Sequence, residues 1–291
     1  MKAAPSSWWV GSAGHALHNG RMPTVALRGI EVHYERSGHG PRLLFVNGSG
    51  ASLRTSALLL APFAERFDLL AHDQRGLGET TVPDDQPTMA DYAADALALA
   101  DHVGWDTFGL VGVSFGGMVA QELAVTSPER VERLALLCTS PGGVGPAGER
   151  LASYPLHELA GLGLHERVAV GRQLLDTRFT DDWLDAHPRD RTIADVFAQR
   201  AAAPRTDAQR RGEALQLEAR RHHDVADRLH RIACPTLVAC GRHDGIAPPA
   251  NSEAIVARVP GAELRTYEGG HAFFFQDRAA LPEVMGFLAT R

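Results

Sequence analysis

The feature that most constrains the fold of this chain is a rhythm. Short, continuous apolar runs alternate with segments of helical spacing, roughly every 30 residues. "RLLFV" (42–46), "FDLLAHD" (67–73), "TFGLVGV" (107–113), "VERLALLCT" (131–139) and "TLVACG" (236–241) read as strands. Their apolar residues are consecutive rather than alternate, as in strands buried on both faces. Residues 88–103, the segment starting at Ser114, and 249–258 carry helical patterning, and 272–290 is mostly helical. Thr88 stands at the N-cap position of the first of these. Such alternation predicts an α/β fold: a mostly parallel sheet covered by helices on both faces, joined by right-handed crossovers. "TVALRG" and "IEVHYERSG" open the series as a hairpin around Gly29, and "AELRTYEG" (262–269) is the last strand.

The rhythm fails between about Ser140 and Arg231, where the sequence is helical, rich in Arg, His and Asp, and without buried-strand runs. This predicts a helical insertion, 141–230, over one edge of a core formed by 23–140 and 231–291. Residues 1–22 lack periodicity and read as an N-terminal arm. Within it His15 and His18 lie three apart, with no further ligand cluster.

Composition narrows the functional classes. Hydrophobic residues make up 44% of the 291, enough for a large core. The net charge is −6 and no basic run suggests a phosphate track, which argues against a nucleic-acid partner. No apolar stretch reaches membrane-span length, so no membrane partner is expected, and the N-terminus makes a poor secretory signal. Cys138, Cys234 and Cys240 form no C-x-x-C pair, and Cys138 and Cys240 sit in apolar runs. They read as buried thiols in a reducing compartment, hence a cytoplasmic protein.

In parallel sheets, sites gather at the C-terminal ends of strands. Four such ends carry unusual residues. The first is Ser114 in "GVSFGG" (112–117). With 29 glycines in the chain, some G-x-S-x-G arises by chance in roughly one case in eight. Context separates this one: it follows a buried strand and opens a helix, the setting of a nucleophile elbow, with the helix start supplying N–H groups. The alternative is a plain turn with a serine cap. The second is Asp244 in "CGRHDGIAPP", placed to orient an imidazole or to serve only as a turn residue. The third is His271 in "EGGHAFFFQD", a candidate general base toward Ser114 or else a structural histidine. The fourth is "VNGSGAS" (46–52), a glycine-rich loop that could aim the Ser49 N–H, beside that of Phe115, at a developing oxyanion.

These stretches, with "DQRGLGET" after the second buried strand, resemble the α/β-hydrolase superfamily, in the flavour of its capped serine esterases, enol-lactonases and carbon–carbon-bond hydrolases. The similarity covers about 24–140 and 232–290. It implies an eight-stranded-type sheet with 141–230 as a helical cap, no cofactor, no metal, and hydrolysis of a small-molecule carboxylic ester or lactone through an acyl-serine intermediate. Ser114, His271 and Asp244 would be nucleophile, base and orienting acid. Thioesters and vinylogous diketones stay open as substrates, as does a homodimer. A perhydrolase and a ligand receptor that uses its triad slowly or not at all are the rival functions. Serine at the elbow counts against the haloalkane dehalogenases and epoxide hydrolases, which carry Asp there. Many relatives have His-Gly where this chain has Asn47-Gly48, a change that the backbone donor of the loop can survive; Asn47 is a candidate substrate-binding residue. Phe115 and Phe273–Phe275 are candidate linings of an acyl pocket, with core packing the alternative for the last three. Asp73, Arg75 and Gly76 match a structural turn. The run "ARRHHD" (219–224) suits either an anionic substrate or a solvated helix face.

Overall fold

A computed structural model describes residues 23–145, 148 and 150–290; the expected arm at 1–22 lies outside them. β1 (Thr24–Leu27) and β2 (Ile30–Ser37) are joined by Arg28 and Gly29, both at positive φ (48° and 82°). That is the geometry of a two-residue turn whose twist matches the strands it joins. β3 (Arg42–Val46), β4 (Asp68–His72), β5 (Phe108–Val113), β6 (Val131–Leu137), β7 (Thr236–Gly241) and β8 (Glu263–Tyr267) complete one eight-stranded sheet in the order β1-β2-β4-β3-β5-β6-β7-β8. β1 and β2 pair antiparallel, and β2 with β4; every other pairing is parallel.

The two faces separate by the period-2 rule of strands. Leu43, Phe45, Val111 and Val113 point to one side, toward α1 (Leu53–Ala64) and α10 (Ala280–Ala289). Leu44, Val46 and Leu110 point to the other, toward α2 (Met89–His102), α3 (Phe115–Thr126) and α8 (Pro249–Val256). α3 is buried on all sides from Phe115 to Val125, which makes it the central helix of its layer. Thr88 caps α2 in a full capping box with Asp91.

Several boundaries differ from the sequence expectation for local reasons. The sequence assigns no element to 53–64, yet α1 forms there, started by a Ser52–Thr55 capping box and tolerating Pro62 near its end. β6 stops at Leu137, two residues early, because Cys138 takes φ 44° and turns the chain. The last helical stretch is two pieces, α9 (Phe273–Gln276) and α10. Between them the Asp277 carboxylate accepts the N–H groups of Glu268 and Ala279.

Between β6 and β7 come α4 (Leu164–Leu175), α5 (Asp181–Ala186), α6 (Pro188–Ala202) and α7 (Asp207–Arg221). They touch the loops that follow the parallel strands: the N–H groups of Gly50, Gly245 and His271 donate to Gln216 Oε1, Leu174 O and Leu175 O (2.8, 3.0 and 2.6 Å). The segment therefore lies across the C-terminal ends of β3, β7 and β8, a correction to its expected place over one sheet edge. Asp73, Arg75 and Gly76 form the turn after β4. Asp73 accepts the N–H groups of Leu53 and Glu79 and contacts His33 Nδ1 (2.7 Å), while Arg75 pairs with buried Asp95 (2.5 Å). No helix of the described residues is long and apolar enough to cross a membrane.

Candidate active site

Ser114 occupies the sharp turn between β5 and α3, at φ 54° and ψ −115°. For a residue with a Cβ this is a strained conformation, costing about 1–3 kcal/mol. The strain sits on the serine, while the flanking glycines make room around it. A Cβ on Gly112 would come 2.3 Å from Gly116 O, and one on Gly116 would come 2.0 Å from Val46 O. Hydrogen bonds hold the turn: Ser114 N–H donates to Leu137 O (2.8 Å), and Thr139 Oγ1–H donates to Ser114 O (2.7 Å). Gly116→Ala should therefore drive the backbone of α3 off β3, at a cost near the top of the ~1–3 kcal/mol overpacking range. A thermal melt should show a drop of several degrees; a melting temperature equal to wild type would contradict this packing.

The structure brings Ser114, His271 and Asp244 together. His271 Nε2 lies 3.0 Å from Ser114 Oγ, and His271 Nδ1 lies 2.8 Å from Asp244 Oδ2. An ionised carboxylate only accepts. Nδ1 therefore carries the proton, and Nε2 is left as the acceptor for the serine hydroxyl. The other Asp244 oxygen accepts two backbone N–H groups, from Ile246 and Ala247, each at 2.8 Å. Asp244 is 3% exposed and Ser114 9%, so the relay is nearly closed to bulk water.

The loop after β3 closes on the same point. A Cβ on Gly48 would stand 3.5 Å from Ser114 Cβ. Asn47 O accepts from Gln74 Nε2 (2.8 Å), and Gly50 N–H is taken by Gln216, which fixes the loop on both sides of Ser49. The N–H groups of Ser49 and Phe115 have no hydrogen-bond partner among the described residues. Asn47 is 1% exposed, and its Nδ2 is buried without a partner. The aromatic expectations are corrected. Phe273 is fully buried and stacks on Tyr267 (5.3 Å, 2°), and the Phe115 ring packs edge-on against Tyr92 (5.0 Å). Both rings belong to the cores on either side of the sheet, not to an acyl pocket.

Other positioning groups left little mark in the sequence. The last turn of α4 holds both late loops, through Leu174 O on Gly245 N–H and Leu175 O on His271 N–H. Backbone carbonyls carry no residue signature. Gln276 anchors the histidine loop: Oε1 accepts Gly270 N–H (2.8 Å), and Nε2 donates to fully buried Asp176 (2.9 Å). Its sign in the sequence is only its place five residues after His271.

All three cysteines are free and buried. Cys138, Asp244 and His271 present donor atoms within 4.8 Å of one another, the one such group among the described residues. The chemistry suits a metal poorly. Burial, with the Asp244 charge adding to it, pushes the Cys138 thiol well up, so it stays protonated, and a metal would have to break the His271–Asp244 bond.

The "ARRHHD" run divides between its two readings. The side chains of Arg221 and His222 are 54% and 72% exposed, while Arg220 and His223 are buried.

A family model described as "alpha/beta hydrolase fold" matches residues 41–278. A poly(3-hydroxyalkanoate) depolymerase from Ectopseudomonas oleovorans is 29% identical over 86% of this chain and 85% of its own length. A putative carbamate hydrolase from Pseudomonas savastanoi pv. phaseolicola is 32% identical over 83% of this chain and 91% of its own. A hydrolase of known structure from Pseudomonas aeruginosa PA01 superposes with a TM-score of 0.76 at 28% identity, covering 94% of this chain and all of that one.

Proposed function

The chain belongs to the alpha/beta hydrolase fold family, and on that premise we propose that it is a cofactor-independent serine hydrolase. It cleaves a small-molecule carboxylic ester or lactone through an acyl-serine intermediate. The observation that carries the proposal is the unbroken hydrogen-bond relay from Ser114 Oγ through the His271 ring to Asp244. The names of the depolymerase and the carbamate hydrolase support hydrolysis as the reaction class.

In the proposed sequence His271 Nε2 takes the hydroxyl proton as Ser114 Oγ bonds to the carbonyl carbon. The carbonyl oxygen, now negative, rests on the N–H groups of Ser49 and Phe115. A donor of this kind is worth about 2.7–4 kcal/mol of barrier. These donors stand fixed before substrate arrives, because Gln74 and Gln216 hold one loop and the strained turn holds the other. The tetrahedral species then collapses. The bond to the leaving oxygen breaks, that oxygen receives the proton from Nε2, and the acyl group stays on Oγ. Water attacks the acyl carbon in turn, giving its proton to His271. The second collapse releases the acid and returns the proton to Ser114. Asp244 stays ionised throughout and balances the transient imidazolium. The segment 141–230 acts as the cap of the site, and its α4 carbonyls set the loops of Asp244 and His271.

A panel of p-nitrophenyl esters, small lactones and aryl thioesters tests this reading. Wild-type protein should turn over at least one ester or lactone without added metal or cofactor. Complete inertness across the panel would sink it.

A further inference from the structure

Along α7, Gly212, Gln216 and Arg220 recur at intervals of four and share one face. Gly212 packs on Gly76 after β4, and Gln216 accepts the Gly50 N–H after β3. Arg220 follows about 6 Å further along the helix. There it lines a cavity of about 340 Å³ with Met118, Ser140, Ser153, Tyr154 and His223. Met118 lies on α3, one helical turn beyond Ser114, or about 5.4 Å along the axis.

Two buried groups of this cavity, Arg220 and His223, are short of partners. Arg220 is 7% exposed and pairs with no carboxylate among the described residues. Its Nη2 donates to Ser153 Oγ (2.6 Å), while its Nε has no partner. His223 is 6% exposed; the Ser140 backbone lies close enough to act on its ring, but neither ring nitrogen makes a well-formed hydrogen bond. Burial draws Arg220 down only to about 10, so it stays charged at neutral pH. Burial draws His223 to about 3, so its ring is neutral there and offers one N–H. The other charged lining groups are Arg150 and Arg221 against Glu158, and His157 is also on the wall. Among the described lining residues positive charge is in excess, with Arg221 also paired to Glu218 (3.7 Å). A desolvated guanidinium short of acceptors is unfavourable. A planar anion with two oxygens supplies what its fork lacks.

We propose that this cavity is a carboxylate-recognition site, in which Arg220 takes both oxygens of a free carboxylate on the substrate, at the end remote from the bond that Ser114 attacks. The substrate class is then an ester or lactone bearing a second, ionised carboxyl group. This rests on Ser114 being the nucleophile. Without that role the cavity would serve a separate carboxylate ligand.

The test uses mono-p-nitrophenyl esters of succinate, glutarate, adipate and pimelate, each paired with the neutral ester of equal chain length. The readout is the charged-to-neutral ratio of kcat/KM within one protein preparation, so loss of folded protein cancels. In wild type the ratio at the best length should exceed about ten. Arg220→Gln should lower it about ten- to a hundredfold, the worth of a charged hydrogen-bonded pair, and Arg220→Lys, a point charge without the fork, by less. A wild-type ratio near one at every length, with the neutral esters still turned over, overturns the inference and leaves the hydrolase reading intact. If no ester reacts, the nucleophile reading fails instead. Calorimetry of free adipate on Ser114→Ala protein then decides the site: binding lost on adding Arg220→Gln keeps a carboxylate site, and no binding removes it. Adipate binding beside a ratio near one assigns the cavity to a separate ligand and overturns the substrate assignment.

Discussion

Ser114→Ala should lower kcat on a generic ester about 10⁶-fold, or ~8 kcal/mol of barrier. The substitution removes the one atom that bonds to substrate and leaves its surroundings alone. Alanine keeps the positive φ of 54° and the backbone hydrogen bonds to Leu137 and Thr139. His271 retains its bond to Asp244, and the N–H groups of Ser49 and Phe115 stay where they are. The variant should therefore melt close to wild type, and its residual rate above water should reflect binding and the oxyanion donors alone. Stopped assays on matched preparations measure this. A kcat within tenfold of wild type would remove Ser114 from the chemistry.

Asp244→Asn should cost about 10⁴-fold in kcat with little change in fold, and the reason is a tautomer. One Asp244 oxygen is committed to the N–H groups of Ile246 and Ala247. In asparagine the amide oxygen must stay there, because an NH₂ group cannot accept those donors. The NH₂ then faces His271 Nδ1, now 2.8 Å from a donor instead of an acceptor. The ring answers by moving its proton to Nε2, where it can no longer take the proton of Ser114. A loss below about tenfold would mean that Asp244 does not set the tautomer.

The legible parts of this molecule were those written in side-chain chemistry. The buried strands announce themselves as unbroken apolar runs, and Thr88 as a cap. Ser114 and Asp244 each follow such a run, and His271 follows the polar last strand, β8, so strand order placed all three at one end of the sheet. α1 was harder to see because Pro62 masks a helix whose start is set by Ser52 and Thr55. The phenylalanines misled for a physical reason. Phe115 and Phe273 follow the reactive positions in sequence, but their rings point into the cores, where burying large rings is favourable. The helical segment 141–230 was visible, and its footing was not. It is tied down by the carbonyls of Leu174 and Leu175, to which any side chain would be compatible. In "ARRHHD" the four cationic or imidazole groups look alike, and only the end of α7 at Arg221 decides which two face inward.

The central claim is that Ser114 becomes covalently bonded while His271 and Asp244 activate it. A fluorophosphonate probe, followed by peptide mass spectrometry, tests it most directly. The label should appear on Ser114 within minutes in wild type. It should be absent from Ser114→Ala and slowed by orders of magnitude in Asp244→Asn. A label on another residue, or none on Ser114 in protein that still hydrolyses esters, would contradict the account.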